Sequence, residues 1–177
     1  MKIFAETDRL ILRELLPADG PGMFELDADP EVHTYLGRKP VKNIDESIRI
    51  IEFVRDQYVS NGIGRWAVVE KDTQEFLGWS GLKWVSDKIN NHTNYHDLGY
   101  RFIRRCWGKG YATEAAKASL AYGFTELQLK EICAMAHINN TASQQVLTKV
   151  GLQYRETFAY EGEQMYWYKI TNPAFHL

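Results

Sequence analysis

The apolar positions change period several times along the chain. Residues 9–13, Arg-Leu-Ile-Leu-Arg, are short and β-rich and predict a first strand. Pro17, Gly20, Pro21 and Gly22 break that pattern, and a short helix is expected around residues 23–28. Asp29-Pro30-Glu31 reads as a turn or a helix start, because proline suits the first helical position. Ile48, Ile51, Val54 and Tyr58 then recur at helical spacing, so residues 45–60 are expected to be helical. Asn43 with Glu46 forms a capping-box variant at the start of this helix, and Asn61-Gly62 ends it.

Three strand patterns follow, over residues 65–70, 76–85 and 97–103, with Thr73-Gln74-Glu75 as a turn and residues 86–94 as an exposed loop. Beyond Gly110 the period becomes helical. Ala112, Ala115, Ala116, Ser119, Leu120 and Gly123 form a small-residue face suited to close packing on a sheet. Residues 132–137 read as a strand. Residues 141–150 read as a helix, with Asn140 as its N-cap and Gly151 as its stop. Residues 154–159 and 164–170 flank Tyr160-Glu161-Gly162-Glu163 as a hairpin. Strands and helices in this order imply an α+β fold: a mostly antiparallel sheet with helices on both faces, not a doubly wound parallel sheet. The 177 residues contain no repeat and no flexible linker, so one domain spanning 1–177 is expected.

Composition narrows the function classes. The chain is 45% hydrophobic and 25% charged, with a formal net charge of -2, so it has no global attraction for nucleic acid or an anionic membrane. Neither a signal-peptide pattern nor a run of membrane-spanning length is present, and the cytoplasm is the expected location. Cys106 and Cys133 fit neither a disulfide framework nor a metal pattern. His33, His92, His96, His137 and His176 are scattered, so no metal site is expected.

The chemistry concentrates between Asp97 and Ala116. A strand ends there, a loop carries Arg105-x-x-Gly108-x-Gly110, and a helix begins at once. Such a loop aims successive backbone N–H groups and the positive end of a helix dipole at one anion. Its glycines let phosphate oxygens approach without a Cβ in the way. Arg104, Arg105 and Lys109 add local positive charge. A Walker loop would need Gly-Lys-Ser/Thr, but Tyr111 follows Gly110; a dinucleotide fingerprint would need glycine or alanine where Thr113 stands. A plain turn is the alternative reading of the two glycines.

This segment resembles the acetyl-CoA-binding motif of the GNAT acetyltransferases, Arg/Gln-x-x-Gly-x-Gly/Ala before a central helix. Trp107-Gly-Lys-Gly-Tyr-Ala-Thr-Glu-Ala115 is similar to the RimJ/RimL branch, as are Thr7-Asp-Arg-Leu-Ile-Leu-Arg13, Asp29-Pro-Glu-Val32, and Asn140-x-x-Ser143 with Lys149-x-Gly151-Leu152. The resemblance covers almost the whole chain. It implies a sheet splayed at the acetyl-CoA site and pyrophosphate binding by Arg105, Gly108, Lys109, Gly110, Tyr111 and Ala112, with Thr113 nearby. It also implies main-chain contacts from Phe102 and Ile103 to the pantetheine arm and acetyl carbonyl, with Asn140 and Ser143 near the arm and its thiol end.

The resemblance implies direct attack of a primary amine on the thioester, with acetyl-CoA as co-substrate and no metal. Asp97, His96 and Glu163 are the candidate bases. Surface charge is the competing reading for each, and water could relay the proton instead. Many family members place a thiolate-protonating tyrosine four residues after the Ser143 position, where this chain has Leu147. The resemblance to the RimJ/RimL branch, which often does without this tyrosine and has a serine as a proposed substitute, makes Ser143 the leading catalytic candidate, with an ordinary first-turn helix residue as the alternative. The acceptor is expected to be a protein N-terminal amine or else a small amine, amino acid or antibiotic, bound by loops near residues 29–42 and 86–96. Tyr35, Trp84, Tyr95, Tyr160, Tyr166 and Trp167 are candidates to line its pocket, or else core or homodimer contacts. A non-catalytic CoA-binding module is the reading from another class.

Overall fold

A computed structural model describes residues 1–175; His176, one of the five scattered histidines, lies outside the described residues. Among the described residues eight strands form a single sheet: β1 (Ile3–Glu6), β2 (Leu10–Arg13), β3 (Trp66–Glu70), β4 (Phe76–Val85), β5 (Tyr95–Phe102), β6 (Glu131–His137), β7 (Gln153–Tyr160) and β8 (Glu163–Thr171). Their order is β1-β2-β3-β4-β5-β6-β8-β7. Every neighbouring pair is antiparallel except β5 and β6, which are parallel and meet only at Asp97 and Cys133. Beyond that bridge the two strands part. This is the mostly antiparallel sheet, parted at one place and flanked by helices, that the resemblance implies.

Among the described residues the four α-helices are α1 (Gly20–Ala28), α2 (Ile44–Asn61), α3 (Tyr111–Thr125) and α4 (Thr141–Lys149). Helix α2 starts where the sequence signals it, with the Asn43 side chain accepting the Glu46 N–H at 3.1 Å. The reciprocal arm of the box differs: Glu46 accepts the N–H of Lys42 at 3.0 Å, one residue before the cap. Gly62, at φ 71°, ends the helix in the left-handed conformation that glycine adopts without steric cost. Residues 30–38 are a run of turns, so the proline at 30 starts no helix.

The sheet's alternation sorts its side chains between two helical layers. Ser80 and Leu82 of β4 face α3, where Ser80 bonds Ser119 at 3.1 Å and Leu82 presses on Gly123. On the opposite face Arg101 of β5 reaches Asp27 of α1 and lies over the Trp79 ring. The core contains Leu10, Leu12, Trp66, Val68, Leu82, Ala115, Ala116 and Ile132, all at or near full burial. The small-residue face of α3 is thus the face packed on the sheet. A Cβ at Gly78 would stand 2.2 Å from the Arg101 carbonyl, so glycine there lets β4 and β5 close up beside the bulge.

Among the described residues, β1 is the strand absent from the sequence reading. It has four residues, none of them fully buried, and pairs only with β2. The other strands begin or end within two residues of expectation.

Candidate active site

Where β5 and β6 part, a cleft of about 760 Å³ opens between the helical layers. One end of the cleft is the loop before α3. Gly108 and Gly110 have φ of 73° and 82°, which places both in the region that favours glycine. Gly110 is the N-cap of α3 and offers no side chain to the helix. The first helical bond is Glu114 N–H to the Gly110 carbonyl at 3.1 Å, so the amides of Tyr111, Ala112 and Thr113 have no helical acceptor. These residues line the cleft with Gly108 and Gly110. Three free amides at a positive helix end, on an unobstructed glycine loop, fit a pyrophosphate. The donor set therefore suits CoA.

The loop is held by groups outside the cleft. Arg9 donates to the Lys109 carbonyl at 3.0 Å and lies over the Tyr111 ring, 4.6 Å from its centroid. The Tyr111 hydroxyl donates to Glu70 at 2.6 Å, and that bond holds the Glu70 carboxyl below its ordinary pKa. Arg105 differs from the sequence expectation. Its guanidinium pairs with Glu25 and with Glu75, at 2.8 Å each, and does not line the cleft. Two acids, from α1 and from the β3–β4 turn, draw it away, and the Glu25 hydrogen bond raises its pKa further. Lys109 also stays outside the lining, while Lys149 of α4 lies within it.

Just past the end of β5, Ile103 donates its N–H to the Leu77 carbonyl at 3.0 Å, and its own carbonyl accepts from the Cys106 N–H at 2.8 Å. Both main-chain groups of Ile103 are thus bonded within the protein and are not free for a pantetheine arm. Alternation then turns the main-chain groups of Tyr100 and Phe102 toward the parted edge. The Phe102 carbonyl accepts the Trp107 indole N–H at 2.8 Å, which leaves its N–H on the open side. Cys106 lines the cleft as a thiol whose pKa burial raises.

At the N-terminus of α4, Asn140 caps the helix by accepting the Ser143 N–H at 3.1 Å, and both residues line the cleft. The hydroxyl of Tyr100 meets Ser143 twice, donating to its carbonyl at 3.0 Å and standing 3.1 Å from its Oγ. Tyr100 is a site residue that sequence reasoning missed. Leu147, one helical turn further on, is buried in the cleft wall.

The opposite face of β5 carries the charged floor. Asp97 pairs with Arg65, and Asp97 Oδ1 is buried without a hydrogen-bond partner among the described residues. A Cβ on Gly99 would meet the Arg65 guanidinium at 2.6 Å, so glycine makes room for that arginine over the strand. Arg101 pairs with Asp27 at 2.6 Å. Glu163 lies outside the lining but reaches it through His137, whose Nε2 is 3.2 Å away. His137 Nδ1 accepts the Asn139 N–H at 3.1 Å, which assigns the ring proton to Nε2 and directs it at Glu163. His137 also stacks on Tyr35, with 5.2 Å between ring centroids. His96 sits on the other face against Trp84, away from the cleft.

Of the six aromatics considered for the acceptor pocket, Tyr35 alone lines the cleft. Tyr95 and Trp167 are buried in a separate cluster with Val85 and Cys133. The turn segment contributes Glu31, Val32, Thr34, Tyr35 and Leu36, whereas the 86–94 loop contributes nothing. A wider groove of about 1120 Å³ between β1 and α3 joins the cleft at Gly110, Thr113 and Lys149. Its other charged lining residues are Lys2, Glu6, Asp8, Glu114, Lys117 and Glu126.

Residues 9–153 match the family described as the acetyltransferase (GNAT) domain. The chain belongs to the GNAT acetyltransferases. This GNAT enzyme is 39% identical over 153 residues to YkkB of Bacillus subtilis, a match covering 85% of this chain and 86% of YkkB. A solved GNAT-family acetyltransferase from Bacillus anthracis superposes with a TM-score of 0.80 at 25% identity, covering 97% of this chain and 99% of that one. RimL, an acetyltransferase of ribosomal L7/L12 solved with coenzyme A, shares the fold at a TM-score of 0.80 and 14% identity, covering 98% of this chain and 99% of its own. Among the described residues of this enzyme, no helix is long and apolar enough to cross a membrane.

Proposed function

We propose that this enzyme acetylates a primary amine that enters the cleft from the Asp97 face, while acetyl-CoA lies along β5 with its phosphates on the α3 loop. The observation carrying this reading is the position of the parted strands. They open a passage between a phosphate-binding loop and a floor with an unpartnered carboxylate oxygen.

Acetyl-CoA supplies the activated acetyl thioester. The chain's own groups divide the remaining work by face. Gly108, Gly110, Tyr111, Ala112 and Thr113 bind the anion, and Asn140 and the Phe102 N–H hold the arm. An amide directed at the acetyl oxygen stabilises developing negative charge. Asp97 Oδ1 accepts a hydrogen bond from the amine and is positioned to receive its proton. Glu163 acts behind His137 as a second carboxylate at the cleft wall. Ser143 stands on the other face, where its hydroxyl assists the departing sulfur. Holding both reactants in one gap supplies the entropic part of the acceleration.

The acceptor we infer carries one amine on a mostly apolar body, as a peptide N-terminus or a small monoamine does. Asp97 and Asp27 are each neutralised by an arginine, which disfavours a polyamine at this floor. Val32, Tyr35, Leu36, Met135 and Met165 furnish apolar lining at the mouth.

The test combines acetyl-CoA calorimetry with thiol release across a panel of free-N-terminus peptides, small monoamines and polyamines. Acetyl-CoA binding plus amine-dependent release of CoA is expected, with the monoamines and peptides ahead of the polyamines. Binding without release for any amine would replace this reading with a non-catalytic CoA-binding module.

A further inference from the structure

Ser143 is fixed at three of its atoms. Its N–H is taken by Asn140 at 3.1 Å; its carbonyl accepts from Tyr100 at 3.0 Å; and its Oγ lies 3.1 Å from the same Tyr100 hydroxyl. Tyr100 comes from β5 and Ser143 from α4, so this contact crosses from the strand on one side of the cleft to the helix on the other. Both residues line the cleft. Position 147, one turn further along α4, holds a buried leucine with no hydroxyl to give.

We propose that Tyr100 is the positioning residue for Ser143: its phenol hydroxyl holds and polarises the serine hydroxyl that faces the departing sulfur. This rests on the role given above to Ser143. A phenol has one hydrogen and an accepting oxygen. With its hydrogen on the Ser143 carbonyl, Tyr100 can accept from Ser143 Oγ and keep that hydroxyl in one rotamer. With its hydrogen turned to Oγ, it frees the serine hydrogen for the sulfur. In that second arrangement the two hydroxyls form a chain, and a donor that is itself hydrogen-bonded is a stronger donor.

Burial pushes the Tyr100 phenol well above its ordinary pKa, so it stays protonated through the working range and gives no proton away. In the transfer, the amine nitrogen bonds to the acetyl carbon, the C–S bond breaks, and its electron pair remains on sulfur. The proton lost by the amine passes to Asp97 and then to solvent, and the sulfur takes a proton through Ser143 that solvent restores. Tyr100 enters and leaves this sequence as a phenol.

The experiment measures kcat, the KM for acetyl-CoA, the acetyl-CoA dissociation constant and the melting temperature for Tyr100→Phe, Ser143→Ala and the double variant. Tyr100→Phe keeps the ring and removes only the hydroxyl. Loss of one hydrogen bond that acts in the transition state predicts a fall in kcat of roughly five- to tenfold for each single variant. KM and the dissociation constant are expected to stay within about twofold, because neither hydroxyl is assigned to ground-state binding. The double variant is expected to be no slower than the slower single one, since one residue acts through the other.

Slowing in Ser143→Ala with parental kcat in Tyr100→Phe would overturn the positioning role while leaving the Ser143 reading intact. Effects that multiply in the double variant would overturn it as well. Parental kcat in Ser143→Ala would remove the Ser143 reading and this inference together. Should Tyr100→Phe melt early, a ring-fluorinated tyrosine at position 100 restores the hydroxyl on the same ring. Recovery of kcat with that residue supports the proposal, and no recovery in a folded protein overturns it.

Discussion

Arg9 and Glu114 stand 105 positions apart in sequence and close on each other in the fold, Nη2 to Oε2, at 2.6 Å. The pair joins the segment before β2 to the first turn of α3. From there Arg9 also holds the Lys109 carbonyl at 3.0 Å. The glycine loop that would receive phosphate is thus braced from behind by a residue that does not line the cleft.

Arg9→Ala should therefore loosen the loop more than it weakens the fold. The arginine is about half exposed, and exposed ion pairs are worth only about 0–1 kcal/mol. We expect the acetyl-CoA dissociation constant to rise several-fold, with a nearly parental melting temperature and kcat retained at saturating acetyl-CoA. Calorimetry beside a thermal melt checks this; parental affinity would remove Arg9 from the support of the loop.

Gly123 of α3 gives the opposite kind of prediction. A Cβ there would meet Leu82 at 2.7 Å and Ile132 at 2.8 Å, both fully or nearly fully buried core residues. Overpacking a core costs about 1–3 kcal/mol, against a gain of about 1 kcal/mol for alanine over glycine in a helix. Gly123→Ala should lower the urea midpoint. Adding Leu82→Ala should recover part of the loss at that contact, so the two changes combine non-additively. Strict additivity would show that the sheet and α3 shift apart to absorb the methyl.

Two histidines give the pH dependence. Burial lowers the pKa of His33, with Arg101 pushing the same way against Asp27 and Asp29. Burial alone lowers that of His96. The unfolded chain therefore binds these protons at a higher pH than the folded one. Their contribution to stability is complete above the ordinary histidine pKa of about 6.5 and is lost as pH falls from there through the lowered folded values. The urea midpoint is expected to be level from pH 8 to 7 and to decline toward pH 5. His33→Gln and His96→Gln should each make the decline shallower, and an unchanged slope in both would assign it to other groups.

Features that depend on a few neighbouring residues were readable in the sequence. Asn43 and Asn140 cap the helices they precede, Glu161 and Gly162 turn the hairpin with positive φ, and Gly108 and Gly110 shape the loop. Each needs only the chemistry of adjacent positions. Features that depend on distant chain were not readable. Arg105 has the charge for phosphate, but Glu25 and Glu75 reach it first, and neither acid lies within 25 positions of it. Tyr100 looks like any strand tyrosine until β5 and α4 bring its hydroxyl onto Ser143. His137 becomes part of the cleft wall only because β6 ends there opposite Tyr35. Strand β1 escaped for another reason: two exposed and two half-buried residues at a sheet margin carry almost no alternation to read.

The single bridge between Asp97 and Cys133 has a consequence for how the sheet meets its surroundings. An ordinary open sheet has two raw margins, and here these are β1 and β7. The parting of β5 from β6 adds a second pair inside the molecule. Margins on the outside invite any stray strand to pair with them. The inner pair is roofed by helices and walled by side chains, so a folded neighbour cannot reach it. On the proposed reading, the slender arm of acetyl-CoA, with amide groups of its own, would lie along this inner edge as the strand the sheet lacks.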